Sequence, residues 1–182
     1  QGPSFGTATP VVTGLPVSNH DHGLNALEFD NDGNLLLAVG GATNAGVAAC
    51  ELGGLPESPF SGAILKIDMN NANLSGAVHY TLTSTGVVND DQRFGEQVDP
   101  VAGLKVSVFA SGLRNTFDIV LATNGLLYGP DNGQNTGYGP ASTSAVTEVY
   151  LSTDSPDELN IIASGNYYGH PNRGRGRYNG RE

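Results

Sequence analysis

The sequence contains no Trp, one Cys, one Met and two Lys in 182 residues, and only 14% of its residues are charged. The single thiol, Cys50, excludes a disulfide within the chain. A lone Cys reads as a buried small hydrophobe, or as half of a bond to another segment. Glu, Lys, Leu and Ala are too scarce for a coiled coil or helical bundle. No apolar run approaches the ~18 residues of a membrane-spanning helix, so no membrane span is expected. Eight basic residues against eighteen acidic give a net charge of −10. That balance disfavours a nucleic-acid partner, whose phosphates must be neutralised by Lys and Arg. Periodic i, i+3, i+4 apolar patterns uninterrupted by Gly or Pro are short, so helices are not expected. Recurrent blocks of Val, Leu and Ile set the chain apart from disordered sequences.

What is present is glycine, 26 residues of it, among short apolar runs. Leu27-Glu-Phe-Asp-Asn-Asp-Gly-Asn-Leu-Leu-Leu-Ala-Val39 reads as strand, tight turn and buried strand, with Gly33 supplying the positive φ of the turn. The Asp30-Asn-Asp-Gly33 stretch lacks the later Glu of a calcium loop and reads as a plain hairpin. Phe117-Asp-Ile-Val-Leu-Ala-Thr-Asn-Gly-Leu-Leu-Tyr128 repeats the pattern, its turn at Gly125 lying 92 residues after Gly33. Ala63-Ile-Leu-Lys-Ile-Asp68 is a further strand between them, running into a turn that ends at Gly76. Strand-and-turn units at ~40–50 residues are the signature of propeller blades. The expected fold is therefore all-β: a single domain over residues 1–182, forming about 3–4 four-stranded antiparallel blades. Long loops at 40–62, 84–103 and 129–146 consume length without adding strands. The propeller is accordingly expected to be an incomplete portion of a ring, closed by blades from another segment or chain.

Charge is concentrated at one end. Arg173, Arg175, Arg177 and Arg181 share the last ten residues with one acid, Glu182, making that segment +3 and the remainder −13. Residues 172–182 read as an Arg/Gly-rich loop or end, against the alternative of an RGG-like nucleic-acid arm. A leading Gln1, the Asn73-Leu-Ser75 glycosylation sequon and the acidic, Asn-rich composition point to a secreted, extracellular glycoprotein.

Four clusters carry candidate chemistry. Asn19-His-Asp-His-Gly23 precedes a strand, and its two His around an Asp suit a metal or a general base with an orienting carboxylate. Ser111-Gly-Leu-Arg-Asn-Thr-Phe117 also precedes a strand, and Arg114 there can clamp a carboxylate. Gly129-Pro-Asp-Asn-Gly-Gln-Asn135 exposes carbonyls and one carboxylate, the oxygen chemistry of Ca²⁺. Asp157-Glu-Leu-Asn160, followed by Ser164-Gly-Asn-Tyr-Tyr-Gly-His-Pro-Asn172, sets adjacent acids beside a glycine corner. Phosphate loops, G-x-S-x-G elbows and H-E-x-x-H motifs do not occur.

In order, these clusters resemble the soluble glucose/sorbosone dehydrogenase family. Its members are six-bladed propellers using pyrroloquinoline quinone (PQQ) and Ca²⁺, a fold shared by hedgehog-interacting proteins. Asp21-His22 with Ala26-Leu-Glu-Phe-Asp-Asn-Asp-Gly33 is similar to the family's D-H segment and following D-G turn. Gly112-Leu-Arg-Asn115 is similar to its G-x-R-N loop, and Asp157-Glu-Leu-Asn-Ile-Ile with Tyr168-Gly-His-Pro-Asn172 to its blade corner. The likeness covers roughly residues 20–172. It implies that His22 is the base taking the proton of a sugar C1 hydroxyl while hydride passes to the quinone. It implies that Arg114 and Asn115 hold PQQ, and that the Gly133 and Gln134 carbonyls hold Ca²⁺. It further implies that Glu158 and the Tyr168 carbonyl hold a second, structural Ca²⁺. The family supports its His with an Asp at the position of Gly41, so the resemblance also implies a base without its carboxylate orienter. The expected function is PQQ- and calcium-dependent oxidation of a sugar or other polyol. The alternative is a non-catalytic, calcium-stabilised binding or matrix module, which the Gly41 departure favours.

Overall fold

The computed structural model describes residues 6–71 and 76–179. The Asn73 sequon, Gln1 and Arg181 lie outside the described residues. Among the described residues eleven strands run in chain order: β1 (Leu24–Phe29), β2 (Leu35–Val39), β3 (Ala63–Ile67), β4 (Tyr80–Leu82), β5 (Val98–Pro100), β6 (Val106–Ser111), β7 (Val120–Leu121), β8 (Leu127–Asp131), β9 (Pro140–Ser142), β10 (Glu148–Tyr150) and β11 (Glu158–Ile162). The helical elements among the described residues are short 3-10 turns, as the sequence pattern led us to expect.

The strands form four antiparallel sheets: β1-β2-β3-β6, β11-β8-β7 and the hairpins β4-β5 and β10-β9. Gly33 and Gly125, both at φ 80°, turn β1 into β2 and β7 into β8. Ala63–Ile67 does not open another unit; it is the third strand of the first sheet, paired with Leu35–Val39. The turn repeat among the described residues therefore runs once in 92 residues. Each larger sheet is interrupted by an inserted hairpin, β4-β5 in the first and β9-β10 in the second.

The apolar run of β2 is explained by burial on both faces. Leu37 and Val39, with Leu65 and Ile67 of β3, pack on Val78, Tyr80 and Val98 of the inserted hairpin region. Leu36, Ala38 and Ile64 pack instead on Ile119, Leu127 and Ile162 beneath the second sheet. A strand buried on both sides needs no polar alternation.

Two local expectations meet different outcomes. The Asp30 turn is the plain hairpin: its carboxylate caps Asp32 N, Asn34 N and Asn34 Nδ2 and pairs with Lys66 Nζ at 2.9 Å. Cys50, expected to be buried, is exposed at the first position of the Cys50–Leu52 3-10 turn. Leu52 takes the buried place in that turn, and a turn of three residues has only one inward side.

The Arg-rich segment is folded onto the body as a loop. Arg175 donates to the carbonyls of Pro59 (2.9 Å) and Ser61 (2.7 Å), and Arg173 to Ser142 Oγ (2.8 Å) and Glu148 (2.7 Å). Arg177 lies 4.9 Å over the Tyr167 ring. Three guanidinium groups used internally form no free cationic arm. Among the described residues no helix is long and apolar enough to cross a membrane.

Candidate functional site

The loops that enter the first strand of each larger sheet, before β1 and before β7, converge with the loops that leave β2 and β8. His22 and Arg114 stand at corresponding places, 92 residues apart. Both are nearly inaccessible, at 3% and 4% exposure, which is unusual for loop His and Arg and removes them from the class of solvated surface residues.

His22 Nδ1 lies 2.9 Å from the Gly41 carbonyl oxygen. A carbonyl only accepts, so Nδ1 carries the proton and Nε2 keeps its lone pair in the neutral ring. Burial, followed by the charge of Arg114, holds the imidazole's pKa down at about 4. At neutral pH the ring is therefore uncharged and ready to accept a proton. The sequence position that lacks an orienting carboxylate thus orients the ring through its backbone. Gly41 N in turn donates to the Arg114 carbonyl at 2.7 Å, tying the two loops together. Asp21, exposed and bonded to His20 Nδ1 at 2.7 Å, stands 3.8 Å from His22 Nε2. The His20 hydrogen bond lowers the Asp21 pKa. Its solvent-facing carboxylate is not the group that sets the tautomer.

Arg114 places Nε on the Asn44 carbonyl (3.0 Å) and Nη2 on Asn44 Oδ1 (2.8 Å). No carboxylate pairs with it within ion-pair distance among the described residues, and burial lowers its pKa. Below it the Asp131 carboxylate accepts from Arg114 N and Asn115 N, each at 2.8 Å, and from Thr116 Oγ1. This fixes the G-L-R-N turn by a side chain from β8. Burial raises the Asp131 pKa, with the two backbone bonds acting in the opposite direction. The Asn115 amide is tied between Asn25 (2.7 Å) and Asn132 (3.2 Å).

Two adjoining clefts, each of about 370 Å³, share Arg114, Asn132 and Gly133. One includes His22, Asn115 and Asp157; the other includes Gln134, Glu158, Tyr168 and His170. The seven residues singled out in the sequence divide between the clefts: His22 and Asn115 line one, Gln134, Glu158 and Tyr168 the other, and Arg114 and Gly133 both.

The donor sets can be tested against the implied groups. A buried guanidinium without a carboxylate partner, on the wall of a cleft, fits a ligand carboxylate such as those of PQQ. Glu158 is exposed on the second cleft, and no hydrogen bond engages its carboxylate among the described residues. With the Tyr168 carbonyl it offers the oxygen ligands Ca²⁺ takes. The Gln134 carbonyl already accepts from Ser155 N at 2.8 Å, and Gly133 N donates to Asp157 Oδ1 at 3.0 Å. A carbonyl has a second lone pair, so Gln134 remains a usable ligand. No group of three or more His, Cys, Asp or Glu converges as a metal site among the described residues, which leaves His20-Asp21-His22 without support as a metal centre.

Two residues of the site, Asn44 and Glu57, escaped sequence reading, and His170 stands in a quoted cluster without a role assigned to it. Asn44 anchors Arg114, Glu57 is fully buried, and His170 pairs with Glu57 at 2.8 Å. Glu57 lies in a Gly/Pro-rich stretch that shows no strand or motif pattern. Its only signal is an isolated acid among apolar and small residues, Leu55-Pro-Glu-Ser-Pro-Phe60. Comparison of the chain with protein-family models, with curated proteins and with solved structures found no match.

Proposed function

We propose that this chain supplies the base-bearing part of an extracellular, PQQ- and calcium-dependent sugar dehydrogenase. In this reading it is an incomplete β-propeller similar to the soluble glucose/sorbosone dehydrogenase family. One observation carries the reading: His22 is buried, neutral at pH 7 and held in the Nε2-basic tautomer on a cleft it shares with a guanidinium that has no carboxylate partner among the described residues. That is the pairing an alcohol oxidation requires, a base for the hydroxyl proton and a cation for an anionic redox partner.

When bound, the quinone supplies the hydride acceptor. The work of the chain's own residues follows from their geometry. Gly41 O holds Nδ1–H, so Nε2 accepts the C1-hydroxyl proton of an aldose. Asn44 holds two nitrogens of the Arg114 guanidinium, so its plane is fixed before a carboxylate arrives. Asn115, braced by Asn25 and Asn132, presents its amide on the same wall. The Gly133 and Gln134 carbonyls would supply oxygens for one Ca²⁺, and Glu158 with the Tyr168 carbonyl those for a second, structural Ca²⁺.

The incomplete ring is supported by apolar side chains left on the surfaces of the two larger sheets. Leu24, Leu27 and Phe29 of the edge strand β1, and Leu159 and Ile161 of β11, are each more than half exposed. Neighbouring blades would cover them. The test is reconstitution of the native protein with PQQ and Ca²⁺, followed by dye reduction with aldoses. Quinone binding that is lost in Arg114→Ala supports the reading. No activity, with quinone binding absent or indifferent to Arg114→Ala, removes it. Asn44 satisfies two of the guanidinium nitrogens without a ligand, which favours the second reading, a non-catalytic calcium-stabilised module. That reading predicts calcium-dependent stability without quinone binding.

A further inference from the structure

The second histidine of the site has one ring nitrogen fully committed and one with nothing to do. His170 Nε2 lies 2.8 Å from Glu57 Oε1, with both side chains buried, at 2% and 0% exposure. Glu57 also accepts from Thr43 N (2.8 Å), from Thr43 Oγ1 (2.6 Å) and from Ser61 Oγ. Burial raises its pKa, but His170 and the two hydroxyls more than offset this and carry it down to about 2. The carboxylate is thus ionised and acceptor-only, and His170 Nε2 is the donor whatever the ring's charge. His170 Nδ1, by contrast, is buried and has no hydrogen-bond partner among the described residues. Native interiors rarely leave such an atom unpaired, because it forfeits its bonds to water.

The surrounding backbone is shaped to keep this pair in place. A Cβ on Gly41 would stand 2.7 Å from His170 Nε2 and 3.0 Å from Glu57 Oε1, and a Cβ on Gly62 would stand 3.0 Å from His170 Cδ2. The glycine that orients His22 through its carbonyl therefore also makes room for a second histidine with a carboxylate behind it. His170 lines the cleft of Arg114, Asp131, Gln134, Glu158 and Asn179. This wall presents donors and acceptors together, with charges of both signs. The hydroxyls of a sugar, each both donor and acceptor, can pair with either kind of group on such a wall.

We propose that His170, oriented by Glu57, is a second ligand-binding histidine of this site, its Nδ1 taking a hydroxyl of a sugar that occupies the cleft beside Arg114. A hydroxyl serves Nδ1 as donor to the neutral ring or as acceptor from the charged one. The identity of the ligand rests on the sugar-dehydrogenase reading; the unpartnered Nδ1 and the Glu57 bond do not.

The experiment is equilibrium binding of D-glucose, without quinone, to the native protein and to His170→Gln and His22→Gln. Gln at position 170 reaches Glu57 with its amide N–H in place of Nε2 but has nothing at the position of Nδ1. The expected result is about tenfold weaker glucose binding by His170→Gln, the scale of one lost hydrogen bond. In parallel, the ¹⁵N resonance of His170 Nδ1 in the unsubstituted protein shifts on glucose addition, a readout that needs no variant to fold. Unchanged affinity in His170→Gln together with an unmoved Nδ1 resonance, while His22→Gln or the quinone assay responds, overturns the proposal and leaves the dehydrogenase reading standing. That outcome assigns Nδ1 to a structural water. If the native protein binds no glucose but does bind PQQ through Arg114, the sugar-binding role of His170 is likewise overturned. Failure of both ligands removes the two readings together.

Discussion

Gly41→Ala puts the geometry of the paired histidines to a direct test. The backbone at Gly41 is not in the left-handed region, so an added methyl meets no φ penalty and acts through space alone. That methyl would lie 2.7 Å from His170 Nε2, 3.0 Å from Glu57 Oε1 and 3.2 Å from the Arg114 carbonyl. All three atoms are fixed, two in the buried His170–Glu57 hydrogen bond and one in the backbone bond to Gly41 N. Overpacking of this kind costs about 1–3 kcal/mol, and pushing the histidine off Glu57 weakens a charge-assisted bond of about 1.5–3 kcal/mol. A total of about 3 kcal/mol lowers Tm by roughly 6–12 °C in a chain of this size. The assay is urea or thermal denaturation beside Gly6→Ala, where nothing lies within 4 Å of the added methyl. Adding His170→Asn, whose shorter side chain withdraws from the methyl, is expected to recover part of the loss. A Gly41→Ala protein within 0.5 kcal/mol of the unsubstituted one, a margin ordinary for neutral surface changes, would refute the packing described here.

Acid should weaken the fold through His22. Its folded pKa of about 4 is below the ordinary 6.5, so the unfolded ring takes up a proton that the folded ring refuses. The associated stability is complete above about pH 6.5 and is lost as pH falls toward 4, by at most about 3 kcal/mol. Denaturation at the two ends of this window should show the slope in the native protein and its reduction in His22→Gln. Arg175→Met removes the bonds to the Pro59 and Ser61 carbonyls. A loss of about 1–3 kcal/mol is expected by chemical denaturation, and Arg175→Lys should restore only part of it, because one ammonium cannot reproduce the fork. Calcium removal by a chelator should lower Tm, and Glu158→Gln should shrink that shift; an unchanged melt would remove the calcium assignment at Glu158.

The legible part of the fold is the part governed by local rules. Leu35–Val39 is read as a buried strand because five apolar residues between turn signals have few other options. Gly33 and Gly125 are read as turns because both need positive φ. The numbering of sheets was not legible in the same way. Ala63–Ile67 looks the same from sequence whether it begins a new unit or completes the first, and only its pairing with β2 decides. The candidate site divides along the same line. His22, Arg114 and Asn115 stand in short motifs ahead of strands and were visible there. Glu57 and Asn44 act through contacts across 113 and 70 residues, from a segment without periodicity, and local pattern carries no trace of such distances. Cys50 illustrates the limit of residue-type preference: its average tendency to be buried yields to a turn that buries Leu52 instead. The Arg-rich end, read as a loop or end rather than as a nucleic-acid arm, has its three described arginines each claimed by a partner in the fold.

The role of His22 as base is tested by the aldose-dependent reduction rate of the native protein, loaded with PQQ and Ca²⁺, compared with His22→Gln under the same loading. The variant is expected to bind the quinone as before, through Arg114, while its rate falls by about 10²–10⁴-fold for want of the base at Nε2. A variant that keeps its rate, or a native protein that binds quinone through Arg114 yet turns over no aldose, would contradict that role.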